Sequence, residues 1–287
     1  MASKVYFTRT ITPEKVVEMF DLLGKELPGK VAVKVHSGEK GNQNFLRPEF
    51  WKPMFEHVNG TIVETNTAYG GSRGTTEVHL KTLDEHHWTQ FPAVILDGEG
   101  PDDVLEIPNG KRIKKNYVGK AMKDFDSMLV LSHFKGHAMG GFGGALKQLS
   151  IGCASAHGKA YIHGAGTPEK MWSTEQDLFL ESMADAAGSV IEFFKGDIAY
   201  INVMKNLSVD CDCDGNAGAP VMEDVGILAS LDPIAIDQAC VDLVYKSTEH
   251  GAKHLIERME SRHGIHTIEA AVEHGYGTRE YELIEVE

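Results

Sequence analysis

The sequence predicts an α/β fold, arranged as a three-layer sandwich with a mainly parallel sheet. Short apolar or β-branched runs recur along the 287 residues, and amphipathic helical patterns separate several of them. Strands that alternate with helices form parallel sheets covered on both faces. A chain of this length with 42% hydrophobic residues can bury a sizeable core. We expect one domain over residues 1–287, with residues 165–172 as the one place where a division is considered.

Five runs have the apolar or β-branched composition of strands, and three segments have helical signals. The predicted strands are residues 31–36, 61–66, 93–97, 128–131 and 200–203. One helix is predicted to begin at Pro13, after the capping residue Thr12, and another at Pro233, after Asp232. A third is predicted over residues 174–194, where apolar residues recur at helical spacing.

The net charge of the chain indicates which classes of partner are disfavoured. A net charge of -14 disfavours nucleic acid and anionic membranes, because both need a basic footprint. The basic residues 111–115 are interpreted as a solvated loop. The sequence has no run of 18 or more apolar residues and no apolar N-terminal signal segment. We therefore expect no nucleic-acid or membrane partner and a cytoplasmic location.

The segment from residue 131 to residue 147 carries the strongest functional signal. It places His133, His137, several glycines and Lys147 directly after a predicted strand. The histidines are four residues apart, so in a helical turn both rings would point the same way, as a metal or a bound anion would require. Glycines let the backbone approach a ligand closely, and a lysine binds anions. The candidate cofactor-binding glycines are Gly141, Gly143 and Gly144.

A second polar loop follows the predicted strand at residues 61–66. It contains Ser72 and Arg73 in a glycine-rich turn, where an arginine suits a carboxylate or phosphate. In a doubly wound sheet the loops after the strands meet at one edge. We therefore expect a cleft that binds a small anionic ligand. The residues expected around it are His133, His137, Lys147, Ser72 and Arg73.

The cysteines indicate reduced thiols rather than a disulfide framework, since the four are few and unevenly spaced. Cys211 and Cys213 alternate with aspartates over residues 210–214. In a continued strand both sulfurs would lie on one face, where they suit a soft metal; the alternative is an acidic turn. We expect at least one of them near His137 or His163. The partners expected for the neighbouring acids are Lys147 and Arg73 if the segment folds over the cleft, or alternatively a metal.

Four blocks of the sequence resemble the domain of unknown function family 362. They lie, in the family's order, at residues 132–147, 152–155, 210–213 and 224–238. Many members of this family carry an inserted ferredoxin-type iron–sulfur segment. Here only eight residues separate His163 from Trp172, where longer members house their paired clusters. The resemblance thus implies an iron–sulfur-associated family, and we expect no ferredoxin-type cluster in this chain.

The loop at residues 133–147 is also similar to that of the nickel-dependent lactate racemases, which bind a nickel-pincer nucleotide. This resemblance implies that His137 is catalytic, that Lys147 tethers the cofactor and that His163 binds nickel. Leu146 replaces an arginine of that family, and Ser72 stands at the position of its second catalytic histidine. Because a racemase works on both faces of its substrate, the loss of one imidazole argues against racemisation.

Two functions follow from these observations. The first is a metal- or cofactor-dependent enzyme that acts on a small anionic substrate, with nickel, iron and zinc as the candidate metals. The second is a non-catalytic metal- or iron–sulfur-binding module. Either is compatible with an oligomer. The enzyme hypothesis assigns catalysis to His137 and His133 and ligand binding to Lys147, Arg73, Gly141, Gly143 and Gly144, while the candidate metal ligands are His163, His137, Cys211 and Cys213.

Overall fold

The computed structural model describes residues 2–287. Eight of its strands form one large sheet, and the other four form two small two-stranded sheets, β5 with β6 and β8 with β9. In chain order the strands are β1 (Ser3–Thr8), β2 (Val31–Lys34), β3 (Thr61–Glu64), β4 (Ala93–Ile95), β5 (Asp103–Glu106), β6 (Lys115–Val118), β7 (Ser127–His133), β8 (Lys135–His137), β9 (Gly141–Gly143), β10 (Ile198–Met204), β11 (Gly226–Ser230) and β12 (Tyr281–Glu285).

Along the chain the helices alternate with strands or groups of strands, and the last three helices lie between β11 and β12. In chain order they are α1 (Pro13–Asp21), α2 (Pro48–His57), α3 (Thr76–Glu85), α4 (Ala145–Ser150), α5 (Ala156–His163), α6 (Gln176–Phe194), α7 (Pro233–Lys246), α8 (Ala252–Ser261) and α9 (Ile265–Glu273). Within residues 2–287 no helix has the length and apolar character needed to cross a membrane.

The large sheet has the strand order β12-β1-β11-β10-β7-β2-β3-β4. Only β11 runs against its neighbours, since it pairs antiparallel with both β1 and β10. The other pairs in the sheet are parallel. The predicted α/β fold with a mainly parallel sheet is therefore confirmed.

Two hydrophobic cores cover the two faces of this sheet. Successive residues of a strand point to opposite faces, and β7 shows the consequence. Leu129 and Leu131 pack in the core that contains residues of α1, α2 and α3. Met128 and Val130 pack in the core that contains residues of α4 and of α6 to α9. A strand buried on both faces is apolar throughout, which is why the sequence reveals it.

The predicted elements are present, with changed ends. Strands β2, β3 and β4 each end two residues before the predicted limits at residues 36, 66 and 97. Helices α1 and α7 begin at their predicted prolines, because the side chains of Thr12 and Asp232 accept hydrogen bonds from the first turn. The residues after these three strand ends, which were predicted to be in strands, form loops at the carboxyl edge of the sheet.

The direction in which strands are added to the sheet reverses between β2 and β7. From β2 the chain adds β3 and then β4 on one side, whereas β7 and β10 lie on the other side. At such a switch point the loops that follow the two strands diverge and leave a crevice at their carboxyl ends. This is where the structure has its polar cleft.

Candidate functional site

A cleft of about 230 Å³ lies at the carboxyl edge of the sheet. The loops after β2, β3, β7 and β10 contribute to its walls, together with residues of α4 and α5. The charged side chains and histidines that line it are Lys34, His36, Glu64, Arg73, His137, Lys147, Lys159 and His163. Cys213 also lines the cleft. Trp172 stands at its rim with 67% of its surface exposed.

Part of the set expected from the sequence converges here. Arg73, His137 and Lys147 line the cleft, and so do His163 and Cys213 from the candidate metal ligands. The structure does not place His133, Ser72 or the three predicted glycines among the lining residues. The hydrogen bonds of those residues, described below, explain their positions.

The cleft is cationic in a strongly acidic chain. Lys34, Arg73, Lys147 and Lys159 line it, and the only lining carboxylate among residues 2–287 is Glu64. The whole chain, by contrast, has a net charge of -14. Cations gathered on the wall of a concave site attract and hold a negatively charged ligand.

Two of these cations are held by buried ion pairs. Lys34 Nζ lies 2.6 Å from Glu64 Oε2, at the ends of adjacent strands. Arg73 Nε lies 3.1 Å from Glu39 Oε2, and its Nη1 is 3.8 Å from Glu64 Oε1. Burial by itself raises the pKa of Glu64, but the charge of Lys34, with smaller contributions from His36 and Arg73, holds that pKa well below its usual range.

The other two lysines lack such partners. In the part of the chain that the structure describes, no carboxylate lies within 4.0 Å of Lys147 or Lys159. Lys147 Nζ lies 3.8 Å from Cys211 Sγ instead. Lys159 Nζ contacts only neutral oxygen atoms. Because buried charges need compensation, an anionic ligand would complete the environment of Lys147.

His137 presents one ring nitrogen to the backbone and the other to sulfur. Its Nδ1 lies 2.8 Å from the Gly140 amide and 3.2 Å from the Met139 amide, both of which donate. An imidazole that accepts at Nδ1 carries its proton on Nε2, and Nε2 lies 4.0 Å from Cys213 Sγ. Burial, followed by the charge of Lys147, lowers the pKa of His137, so the neutral ring predominates at neutral pH.

Cys211 and Cys213 meet at this imidazole. Their sulfurs and a nitrogen of His137 lie within 4.8 Å of one another, which confirms the expectation that the cysteine segment reaches His137. The segment is a turn rather than a continued strand, because the Asp214 amide donates to the Cys211 carbonyl at 2.9 Å. A hydrogen bond from the Cys213 thiol, and then the charge of Lys147, holds the pKa of Cys211 well below its usual value despite burial.

The aspartates of this segment have other partners than the sequence indicated. Asp212 is buried between His133 Nδ1, at 2.9 Å, and Lys135 Nζ, at 2.7 Å. The other nitrogen of His133 donates to the Lys205 carbonyl at 2.5 Å. Through its contact with Asp212, His133 therefore holds the cysteine segment at the end of β7. Its predicted catalytic position in the cleft is wrong, because residues 135–137 form a strand instead of a helical turn.

The expected pairing of these acids with Lys147 and Arg73 is also wrong. Asp210 forms its ion pair with Arg258, at 3.1 Å. Asp212 contacts His133, at the end of β7, and Lys135, on β8, instead. Arg73 is already held by Glu39, so it is not free to compensate an aspartate.

Gly141 and Gly144, two of the three glycines predicted to bind a cofactor, have packing roles in this structure. Gly141 has a φ of +80°, which side chains rarely allow, and a Cβ there would lie 2.8 Å from Gly264 Cα. A Cβ on Gly144 would lie 2.3 Å from Asp237 Oδ1. That carboxylate accepts the first two amides of α4 and so requires close approach. Ser72 is likewise occupied, with its amide 2.6 Å from Glu39 Oε1.

His163 brings an unsatisfied nitrogen to the cleft. Its ring stacks on Phe179 with centroids 4.4 Å apart, and its buried Nδ1 has no hydrogen-bond partner among residues 2–287. Burial, with the charges of His137 and Lys147, lowers the pKa of His163 to about 3. The ring is therefore neutral, with a nitrogen lone pair or N–H left for a ligand.

Sequence reasoning missed Lys34, His36, Glu64 and Lys159. A signal existed for two of them, since Lys34 and Glu64 are charged residues at the ends of apolar runs of fully buried strands. Lys159 gave none, because a lysine on a short helix is usually solvent-exposed. Only the packing of α5 against the sheet edge reveals it.

The fold and the cleft together define a three-layer α/β protein with a cationic, histidine-bearing site at the switch point of its sheet. The chain belongs to the family described as domain of unknown function (DUF362), whose profile matches residues 31–242. That range contains every residue named above as lining the cleft. No curated protein matched this chain.

Solved structures show likeness in fold. The lactate racemase apoprotein from Thermoanaerobacterium thermosaccharolyticum aligns with a TM-score of 0.50 and 13% identity, over 83% of this chain and 56% of the racemase chain. A protein from Thermotoga maritima aligns with a TM-score of 0.48 and 14% identity, over 82% of this chain and 59% of its own. This chain thus spans less than two thirds of the length of either.

Proposed function

We propose that the cleft is the active site of a metal- or cofactor-dependent enzyme that acts on a small anionic substrate. The observation that carries this proposal is the pair of lysines, Lys147 and Lys159, that line the cleft without a carboxylate partner. A carboxylate or phosphate group on the substrate would supply the missing charge. Apolar residues, among them Met139, Ile151 and Trp172, line the remaining wall and limit access of water.

His137 is the proposed proton carrier. Its ring is neutral, is oriented by two backbone amides and presents Nε2–H on the cleft side. A neutral imidazole with a fixed tautomer can donate this proton to a developing oxyanion and take it back afterwards. The same geometry weakens the case for His137 as a metal ligand, since binding through Nε2 would require loss of that proton.

Lys147 and His163 are the residues that would hold a cofactor of the racemase type. Both line the cleft, and the unpartnered Nδ1 of His163 is the kind of atom that a metal would satisfy. When bound, such a group supplies hydride exchange at the carbon that bears the substrate hydroxyl. Ser72 is occupied by Glu39 and offers no second base, so we propose no racemisation.

A non-catalytic metal- or iron–sulfur-binding module is the second candidate. One observation favours it, namely the three donors of Cys211, Cys213 and His137 within 4.8 Å of one another. Two thiolates and one imidazole are a ligand set that zinc accepts. In that case the neighbouring lysines would balance the charge of the thiolates rather than bind a substrate.

Anion binding tests the enzyme proposal directly. We expect lactate or inorganic phosphate to bind in calorimetry, and Lys147→Met to weaken binding about tenfold, which corresponds to about 1.4 kcal/mol. Lys123→Met, at an exposed lysine that pairs only with Asp103, is the control and should leave affinity unchanged. Equal affinity in wild type and Lys147→Met would contradict the proposed site.

Elemental analysis of anaerobically purified protein separates the two candidates. Metal retained in the Cys211→Ser plus Cys213→Ser variant but lost in His163→Ala supports the enzyme with a cofactor at Lys147 and His163. The reverse pattern supports the metal-binding module. Wild-type protein without bound metal or organic cofactor would contradict both.

A further inference from the structure

Lys159 differs from every other cation of the cleft in its surroundings. Lys34 and Arg73 are paired with carboxylates, and Lys147 faces the sulfur of Cys211. Lys159 Nζ contacts the Thr65 hydroxyl oxygen and, at 2.7 Å, the Ala154 carbonyl oxygen. Both acceptors are neutral, even though Lys159 is buried, with only 7% of its surface exposed.

These contacts suit a neutral amine better than an ammonium ion. The Thr65 hydroxyl donates its proton to the Gly152 carbonyl at 3.0 Å, so its oxygen accepts from Lys159. A neutral amine has two N–H groups, and the two acceptors use both of them. The remaining position on Nζ, which is a lone pair in the neutral amine, has no partner in the described residues.

The electrostatic environment favours the same state. Burial lowers the pKa of Lys159 to about 7, with the charges of Lys34 and Arg73 acting in the same direction against Asp97 and Glu64. About half of the amine is then neutral at pH 7, whereas a free lysine with a pKa of about 10.4 has roughly one neutral amine in two thousand. A desolvated lysine beside other cations is the arrangement that activates amines as nucleophiles.

We propose that Lys159 is a nucleophilic lysine that forms an imine with the carbonyl carbon of a small oxo acid bound in the cleft. This inference rests on the proposed anionic substrate and narrows its class to carboxylates that carry an aldehyde or ketone. Lys147, which has no carboxylate partner among residues 2–287, lines the same cleft and provides positive charge for the carboxylate.

The step balances without an oxidant or reductant. The lone pair of Nζ attacks the carbonyl carbon, and a proton passes from the nitrogen to the carbonyl oxygen to give a neutral carbinolamine. Loss of that hydroxyl as water, with one proton supplied by solvent, leaves the protonated imine. The product keeps a positive charge next to the substrate carboxylate, where Lys147 already favours the anion.

Reductive trapping on the intact protein tests the inference. Pyruvate or glyoxylate is added with sodium borohydride, and the adduct is located by peptide mass spectrometry. We expect one adduct per chain on the peptide that contains Lys159. It should disappear in Lys159→Met and persist in Lys123→Arg, an exposed control. Mapping in the wild type does not depend on the folding of any variant.

Two results would overturn the inference. One is the absence of an adduct, and the other is an adduct on Lys147 or scattered over surface lysines. Calorimetry with lactate, which has no carbonyl group to trap, separates this failure from that of the proposed function. Lactate binding without any pyruvate adduct overturns the imine and leaves the anion site; no binding of lactate or pyruvate overturns both.

Discussion

At the scale of single residues, the charge of Lys159 governs how the cleft responds to pH. The pKa of this amine is lowered to about 7, so the folded protein carries the charge below that pH and loses it above. An anion without a carbonyl group prefers the charged form. We therefore expect the affinity for phosphate or lactate to fall as pH rises from about 6 to about 8, measured by calorimetry.

The variant Lys159→Met should remove this pH dependence and leave a weaker, flatter profile. Trapping of an oxo acid should show the opposite trend, because imine formation uses the neutral amine. A lactate affinity that rises with pH in the wild type would contradict the assigned charge of Lys159.

Asp212 is the residue on which the position of the cysteine segment depends. It lies between His133 and Lys135, all three nearly fully buried. In Asp212→Asn two buried cations lose their counter-charge, and we expect the free energy of unfolding to fall by about 3–5 kcal/mol, measured by urea denaturation. Asp210→Asn breaks a partly exposed pair with Arg258 and should cost less than about 1 kcal/mol. Equal losses in the two variants would contradict the proposed anchor.

The residues of the site differ in how well the sequence predicted their positions. His137 and Lys147 were found because reactive side chains stood among glycines after a strand. His133 was misplaced, because its side-chain direction depends on where β7 ends and on the short hairpin that follows, which spacing alone does not fix. Lys159 could not be identified from the sequence, because its burial depends on how α5 packs against the sheet edge.

At the scale of elements, Asp237 holds α4 and therefore Lys147 in place. From α7 it accepts the amides of Ala145 at 2.7 Å and Leu146 at 2.9 Å, and the side chain of Asn202 at 2.7 Å. Burial nevertheless raises the pKa of Asp237 to about 6. The helix end is thus attached through a carboxyl group that titrates in a mildly acidic range.

This attachment gives a stability prediction with a defined sign. Because the folded pKa lies above the unfolded value of about 3.9, the folded state binds the proton more tightly. Stability is therefore fully present below about pH 4 and is lost as pH rises to about 6. Relative to Asp237→Asn, we expect the wild type to lose about 2–3 kcal/mol across this window in denaturation experiments. Asp21→Asn, at an exposed carboxyl, is the control and should show no such change.

The elements also show which parts of the fold were predictable. Strands β2, β3, β7 and β10 were recognised because each contains a buried run of apolar or β-branched residues. The edge strand β12 was not, since its residues are intermediate or exposed. Strands β2, β3 and β4 end before their predicted limits, whereas β7 and β10 extend beyond theirs. The functional edge is thus where sequence rules for strands fail.

At the scale of the molecule, the sheet separates the cleft from half of the hydrophobic core. Met54 on α2 is fully buried in the core that α1, α2 and α3 form on one face. We expect Met54→Ala to lower the free energy of unfolding by about 2–5 kcal/mol, measured by denaturation. Anion affinity below the unfolding transition should not change, since this core shares no residue with the lining of the cleft. A tenfold loss of affinity would contradict this separation.

Because of its position, Trp172 can report occupancy of the cleft through its intrinsic fluorescence. The chain has three tryptophans, and Trp51 and Trp88 are buried in the core of the α1 to α3 face. Only Trp172, at the rim of the cleft, meets solvent. Collisional quenching of the emission by iodide should therefore reach this one indole, and a ligand that occupies the cleft should shield it. Occupancy can then be followed by fluorescence without a label and without knowledge of the reaction.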